Sequence, residues 1–159
     1  GHTAGYLALN GAIATGSEAA IIPEMDTEVD QLAELINHGF RKSKNSAIVI
    51  VAENPKTGGA TALAERVKKE FPQYDARVTI LGHIQRGGSP CSYDRILGTR
   101  FGSYAVELVE KRQFSCMVAL RGTQMTAVPI EEAVKTLKLV DPDCQLVRTA
   151  RDLGVCFGD

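Results

Sequence analysis

Short unbroken apolar runs alternate along this chain with segments whose apolar positions recur every three or four residues. The first pattern predicts strands and the second helices. Residues 19–22 form a buried-type run stopped by Pro23, and 47–52 a continuous run of the kind covered on both faces of a sheet. The β-branched run Val78-Thr79-Ile80-Leu81 predicts a third strand, 116–120 a fourth, and 126–128 a weaker fifth. Helical spacing covers 3–14, with Thr3 placed to cap its start and Thr15-Gly16 to end it. A second helix is predicted over 27–42, where Thr27 and Asp30 resemble a capping box ahead of Val29, Leu32, Ala33, Ile36 and Phe40. Further helices are predicted over 60–70, 91–111, 130–137 and 144–153. The longest of these carries Tyr93, Ile96, Leu97, Phe101, Tyr104, Ala105 and Leu108 as its apolar face. Strands alternating with helices over short connections predict an α/β fold, a mostly parallel sheet with flanking helices.

Composition narrows the field only a little. The 159 residues are 44% apolar and 23% charged with a formal charge of −1, an ordinary globular balance. That balance favours neither nucleic acid nor an anionic membrane as partner. No apolar run approaches the roughly 20 residues of a membrane helix, and no secretory leader pattern opens the chain. Cys91, Cys116, Cys144 and Cys156 are scattered with no C-x-x-C pair, which argues against a zinc site and for reduced thiols in a cytoplasm. The chain opens at Gly1 without methionine, inside a helix-start pattern, which points to a piece of a longer polypeptide.

The most informative chemistry lies at Gly82-His83-Ile84-Gln85-Arg86-Gly87-Gly88-Ser89-Pro90. It joins the predicted strand 78–81 to the longest predicted helix, whose start is marked by Ser89-Pro90. An imidazole, a guanidinium and two glycines at a strand-to-helix junction suit a phosphate or carboxylate. A plain strand–turn–helix junction with solvated side chains fits the same spacing. Neither the dinucleotide nor the Walker glycine pattern is present. If strands 47–52 and 78–81 run parallel, Glu53 and the pair His83 and Arg86 face one crevice at the carboxyl edge of the sheet. A carboxylate beside cationic donors can take the hydroxyls and phosphate of a sugar phosphate; a structural Glu53–Arg86 ion pair is the alternative.

The run Leu81-Gly82-His83-Ile84-Gln85-Arg86-Gly87-Gly88-Ser89-Pro90, followed by Tyr93-Asp94-Arg95, resembles a signature of the second half of 6-phosphofructokinases of the bacterial type. Gly1-His2-Thr3-Ala4-Gly5-Tyr6-Leu7-Ala8-Leu9 is similar to a second motif of that family, and 47–53 falls where a third is expected. The resemblance covers essentially the whole chain. It implies a phosphofructokinase-like fold: 1–86 with 136–159 in the sugar-phosphate and effector lobe, and 87–135 in the nucleotide lobe.

It further implies transfer of the ATP γ-phosphoryl group to the 1-hydroxyl of fructose 6-phosphate in glycolysis. Glu53, His83 and Arg86 would hold the sugar phosphate, Arg77 would reach the 6-phosphate of a neighbouring subunit's site, and Gly1 and His2 would lie near the reacting phosphate. The family has arginine where His2 stands, and an imidazole is a weaker clamp for developing charge. Gly16, Glu18, Lys42 and Lys44 match an allosteric pocket for a nucleotide or phosphoenolpyruvate, although lysines at a helix end also simply complement its dipole. ATP and Mg2+ belong to the full-length enzyme, with none expected on this chain alone. No catalytic base or metal ligand set is recognised here, so the chain by itself is expected to be inactive. A homo-oligomer is expected: a tetramer for the family, and a dimer or swapped form for this chain, whose long helix would lose its usual partners. A pyrophosphate-dependent relative and a non-catalytic sugar-phosphate or effector-binding module are the alternatives.

Overall fold

The computed structural model describes residues 3–28, 30, 31, 33, 34, 46–53, 58–86 and 88–159. They divide into two compact units, one built from 1–80 with 138–159 and the other from 81–137. Both the sheet and the flanking helices expected of an α/β chain are present.

In the first unit, strand β1 (Ala19–Ile21) pairs in parallel with β2 (Val49–Val51), Ala20 lying opposite Ile50. Cys156 bridges Ala19, also in parallel, so β1 is the central strand. Helix α1 (Tyr6–Thr15) lies on both strands and touches α5 (Gln145–Asp152). Ala8, Leu9 and Ala12 of α1, Ala20 and Ile22 after it, and Val140, Val147, Val155 and Phe157 from the end of the chain make one core. Helix α2 (Gly59–Glu70) carries Lys68 and Lys69 in its last turn, where cations complement the dipole. The helix predicted over 27–42 is helical at 30, 31, 33 and 34, and its remainder lies outside the described residues.

Three local expectations give way to tertiary partners here. Thr3 does not cap α1. The N-cap is Gly5 without a side-chain bond of its own, and both carboxylate oxygens of Glu24 accept from the Gly5 N–H at 3.0 and 3.1 Å. Glu24 also accepts from the Val140 N–H at 2.9 Å, so one carboxylate ties together segments 19 and 116 residues away. The run 47–52 is strand only over 49–51 and is half-buried rather than covered on both faces; Ile48 is 59% exposed. The predicted strand 78–81 is not a strand. Its residues join no ladder among the described residues, and Ile80 is 70% exposed. β-Propensity marks a segment able to pleat, but a ladder needs a partner edge, and pairing and packing decide whether it forms.

The chain's end is locked onto this core. Arg151 lies 5.0 Å over the Phe157 ring and forms a two-pronged ion pair with Asp159, Nη1 to Oδ1 at 3.0 Å and Nη2 to Oδ2. The hydrogen bonds from Arg151 hold the Asp159 carboxyl below its ordinary value. A depressed carboxylate contributes stability above the unfolded value near 3.8 that is lost as pH falls through the lower folded one. Asp159→Asn should therefore lower the melting temperature slightly at pH 7, and the gap from the parent chain should narrow as pH falls below the unfolded value of 3.8. Melting curves across that range check the sign.

In the second unit, a 3-10 turn (Gly82–Arg86) precedes helix α3 (Ser92–Glu110), strands β3 (Cys116–Arg121) and β4 (Gln124–Pro129), and α4 (Ile130–Lys135). Ser89-Pro90 does not start the long helix. The N-cap is Cys91, whose N–H donates to the Asp94 carboxylate at 2.9 Å to form a capping box. Hydrogen bonds from the Cys91 backbone, then its thiol, hold the Asp94 carboxyl below its ordinary value. β3 and β4 form an antiparallel hairpin in register from Cys116 opposite Pro129 to Arg121 opposite Gln124. Gly122 opens its two-residue turn at φ 58°, the positive value such turns require. The weak run 126–128 thus belongs to a six-residue strand, extended by its partner. The hairpin lies against α3, which turns Leu97, Phe101, Tyr104 and Leu108 inward; Tyr93 and Ile96, expected on the same face, are exposed.

α3 ends in a Schellman motif with arginine in the position that usually holds glycine. Gln113 N–H donates to Leu108 O at 2.8 Å and Arg112 N–H to Val109 O at 2.9 Å, with Arg112 at φ 53°. A side chain in this left-handed region costs about 1–2 kcal/mol, partly offset in the unfolded state. Arg112→Gly should thus stabilise the chain by about 1 kcal/mol, read as a higher urea midpoint.

Candidate functional site

The proposed sugar-phosphate residues are carried by both units. Glu53 stands two residues beyond β2, just after the Ala52 N–H donates to Ile21 O at 2.8 Å and closes the parallel ladder. Its carboxylate is exposed at the carboxyl end of the sheet, where open α/β folds bind ligands. Arg77 lies in the segment expected to open a strand and is solvent-exposed. Its Nε and Nη2 both donate to Asp75 Oδ2, at 3.1 and 3.0 Å. An exposed pair of this kind is worth at most about 1 kcal/mol, so a dianionic phosphate can displace Asp75.

His83 belongs to the second unit and is exposed within the 3-10 turn. Gly82 enters that turn at φ 47°, a value glycine adopts without strain, and the Ile84 N–H donates to Leu81 O at 3.1 Å. The backbone of Arg86 ends the turn. Because 78–81 is not a strand, the crevice derived from two parallel strand tips has only one of them, β2, with Glu53 at its end. The side chain of Arg86, together with Gly1, His2, Lys42 and Lys44, lies outside the described residues.

Gly16 and Glu18, assigned by resemblance to an effector pocket, sit between α1 and β1. Gly16 has φ 65° and donates to Ala12 O, closing α1. The Glu18 carboxylate accepts from the Ile48 N–H at 2.7 Å, while its backbone bonds Ile48 O and the Cys156 N–H. Glu18 therefore stitches the entry of β1 to the approach of β2. Sequence reading gave no hint of Glu24 or Asp75 as partners. The Glu24 contacts cross the length of the chain, whereas Asp75 is two residues from Arg77 and its proximity was the available signal. Among the described residues no three His, Cys, Asp or Glu side chains gather as a metal site, and no helix is long and apolar enough to cross a membrane.

Residues 1–109 match the family model described as phosphofructokinase. The chain belongs to the phosphofructokinase family. The 81–90 stretch and the residues flanking β2 fall within the matched region of this phosphofructokinase chain. It is 56% identical over 155 residues to ATP-dependent 6-phosphofructokinase 2 of Bacteroides thetaiotaomicron, an alignment covering 98% of this chain and 47% of that protein. It is 37% identical over 179 residues to ATP-dependent 6-phosphofructokinase of Spirochaeta thermophila, covering 100% of this chain and 49% of the relative. Among solved structures, phosphofructokinase of Pichia pastoris in the T-state superposes with a TM-score of 0.70 at 30% identity, over 96% of this chain and 16% of that one. The chain thus spans about half the length of the curated relatives it matches.

Proposed function

We propose that this chain supplies the fructose 6-phosphate side of an ATP-dependent 6-phosphofructokinase. The observation that carries this reading is its alignment, over 98% of its length, with a relative bearing that name. Glu53 accepts hydrogen bonds from sugar hydroxyls, and His83 and Arg86 take sugar and phosphate oxygens. Arg77 exchanges Asp75 for the 6-phosphate of a neighbouring subunit's site. Gly1 and His2 lie toward the transferred group, with the imidazole as a hydrogen-bond donor rather than a permanent charge. Gly16, Glu18, Lys42 and Lys44 form an effector pocket for a nucleotide or phosphoenolpyruvate.

In the full-length enzyme ATP would supply the phosphoryl group, and a bound magnesium ion would supply charge neutralisation. The described residues offer no ligand set for that ion, so the roles assigned to this chain are to bind, orient and neutralise the acceptor. Residues 1–86 with 136–159 form the sugar-phosphate and effector lobe, and 87–135 belong with the nucleotide lobe. The working enzyme is a cytoplasmic homo-oligomer.

In the enzyme carrying this chain, Arg86→Ala should raise KM for fructose 6-phosphate about 10- to 150-fold. This follows from the 1.5–3 kcal/mol of a charge-assisted hydrogen bond. KM for ATP should change little. An unchanged KM for the sugar phosphate, measured in a coupled assay, would remove Arg86 from the site. The 159-residue chain alone should bind fructose 6-phosphate by calorimetry without turning it over, and substantial turnover by it would refute the division of labour proposed here.

A further inference from the structure

Asp75 and Arg77 lie between the end of α2 and the run 78–81, and the two sides of this stretch are held differently. On the Asp75 side the chain is braced. α2 closes as the Phe71 N–H donates to Val67 O at 2.8 Å, and the Tyr74 N–H then donates to Phe71 O at 3.1 Å. Phe71-Pro72-Gln73-Tyr74 is thus a β-turn with proline at its second position, where the ring pre-sets φ. The Phe71 and Tyr74 rings pack together with centroids 6.3 Å apart. Beyond Arg77 the backbone joins no ladder among the described residues. The Asp75 carboxylate is what fixes the Arg77 head, and among the described residues that guanidinium donates to nothing else.

The manner of the contact is informative. Nε and Nη2 are adjacent donors on one edge of the guanidinium, a fork that takes two oxygens in the strongest pairs with carboxylate or phosphate. Here both donate to a single oxygen, Asp75 Oδ2, at 3.1 and 3.0 Å. The fork is therefore occupied, but by one oxygen where it can take two. Both side chains are exposed, Arg77 by 86% and Asp75 by 75%, so the pair is screened and weakly held. A phosphate monoester brings up to two charges and three acceptor oxygens, and it can fill the fork in the two-oxygen manner. It must expel the carboxylate to do so, because like charges sharing the same two donors repel.

Taking Arg77 to bind the 6-phosphate, as proposed above, we infer that Asp75 is a resident anion at that arginine. It holds the phosphate-binding edge of the guanidinium while no substrate is bound, and it sets the affinity for the sugar phosphate by competing for the same two donors. Asp75 is a positioning residue: it acts through Arg77 and does not touch the substrate.

In the enzyme carrying this chain, Asp75→Asn keeps the size of the side chain and removes its charge. It should lower KM for fructose 6-phosphate about two- to fivefold, the range an exposed ion pair can supply, with kcat and KM for ATP unchanged. A gain in affinity is not what a damaged fold produces. Arg77→Ala should raise the same KM, and adding Asp75→Asn to it should change nothing further, since the competitor then has nothing to compete for. If Arg77→Ala raises KM but Asp75→Asn leaves it unchanged or raises it, Arg77 keeps its role and that of Asp75 is overturned. A drop in KM that persists in the Arg77→Ala background overturns it too, because the carboxylate would then be repelling substrate without Arg77. If Arg77→Ala itself leaves KM unchanged, the assignment of Arg77 to the 6-phosphate fails, and the role of Asp75 falls with it.

Discussion

Phe157→Ala should destabilise the chain by about 3–5 kcal/mol, the range for removing a fully buried aromatic side chain. Phe157 is 0% exposed two residues from the end of the chain, where side chains are usually loose. It packs in the core with Leu9, Ile22 and Val147, and Arg151 covers its outer face. Neighbouring backbone depends on it as well: Cys156 bridges β1, and the Gly158 carbonyl accepts from the Glu28 N–H at 2.6 Å. Losing the ring leaves a cavity and unpins the terminal segment from β1. A domain holds only about 5–15 kcal/mol in all, so this one change removes a large share. Urea unfolding followed by circular dichroism measures it, with exposed Leu153→Ala as a control expected within about 0.5 kcal/mol of the parent. A shift below 1 kcal/mol for Phe157→Ala would mean that the terminal segment is not part of the core.

Gly5→Ala should be nearly as severe, at about 3 kcal/mol, although it adds a single methyl group. The new Cβ would stand 2.4 Å from Ile22 Cβ and 2.8 Å from Glu24 Oε2. Ile22 is 2% exposed and cannot yield, so the start of α1 must move outward. Overpacking alone costs about 1–3 kcal/mol. The displacement also lengthens the bonds from the Gly5 N–H to Glu24, and a hydrogen bond to a charged group contributes about 1.5–3 kcal/mol. Glu24→Gln keeps one acceptor oxygen and should lose only about 1 kcal/mol. The ordering Gly5→Ala worse than Glu24→Gln, in the same unfolding assay, distinguishes steric displacement from the loss of charge. The reverse ordering would show that the carboxylate, and not the close approach of Gly5 to Ile22, holds the helix start.

Elements whose signals are local were readable from the chain itself. Gly16 ends α1 because it reaches φ 65° without strain, and 60–70 is helical with its boundary misjudged by one residue. The signature around 81–95 identified the family because an unusual residue order is itself the information, whatever its conformation. The long helix read over 91–111 is observed with Cys91 and Lys111 as its caps; only the capping group attributed to Ser89-Pro90 was misread, because Cys91 caps α3 with Asp94, a pairing outside the usual serine and threonine rule. For the candidate site, residue identities came from the sequence. That Glu53 follows a strand was legible in the apolar run before it; that this strand spans only Val49–Val51, and that Arg77 is held by Asp75, came from the coordinates.

Periodicity and capping chemistry by themselves determined the order and type of most elements, and the motif around 81–95 pointed to the family by resemblance, since each is written in neighbouring residues. Tertiary structure alone decided that 78–81 forms no ladder, that a carboxylate at 24 rather than the hydroxyl at 3 receives the first turn of α1, and that α3 buries one apolar stripe and exposes another. The physical reason is common to all three. A pleated run, an unsatisfied amide and an apolar face each need a partner, and that partner lies elsewhere in the chain.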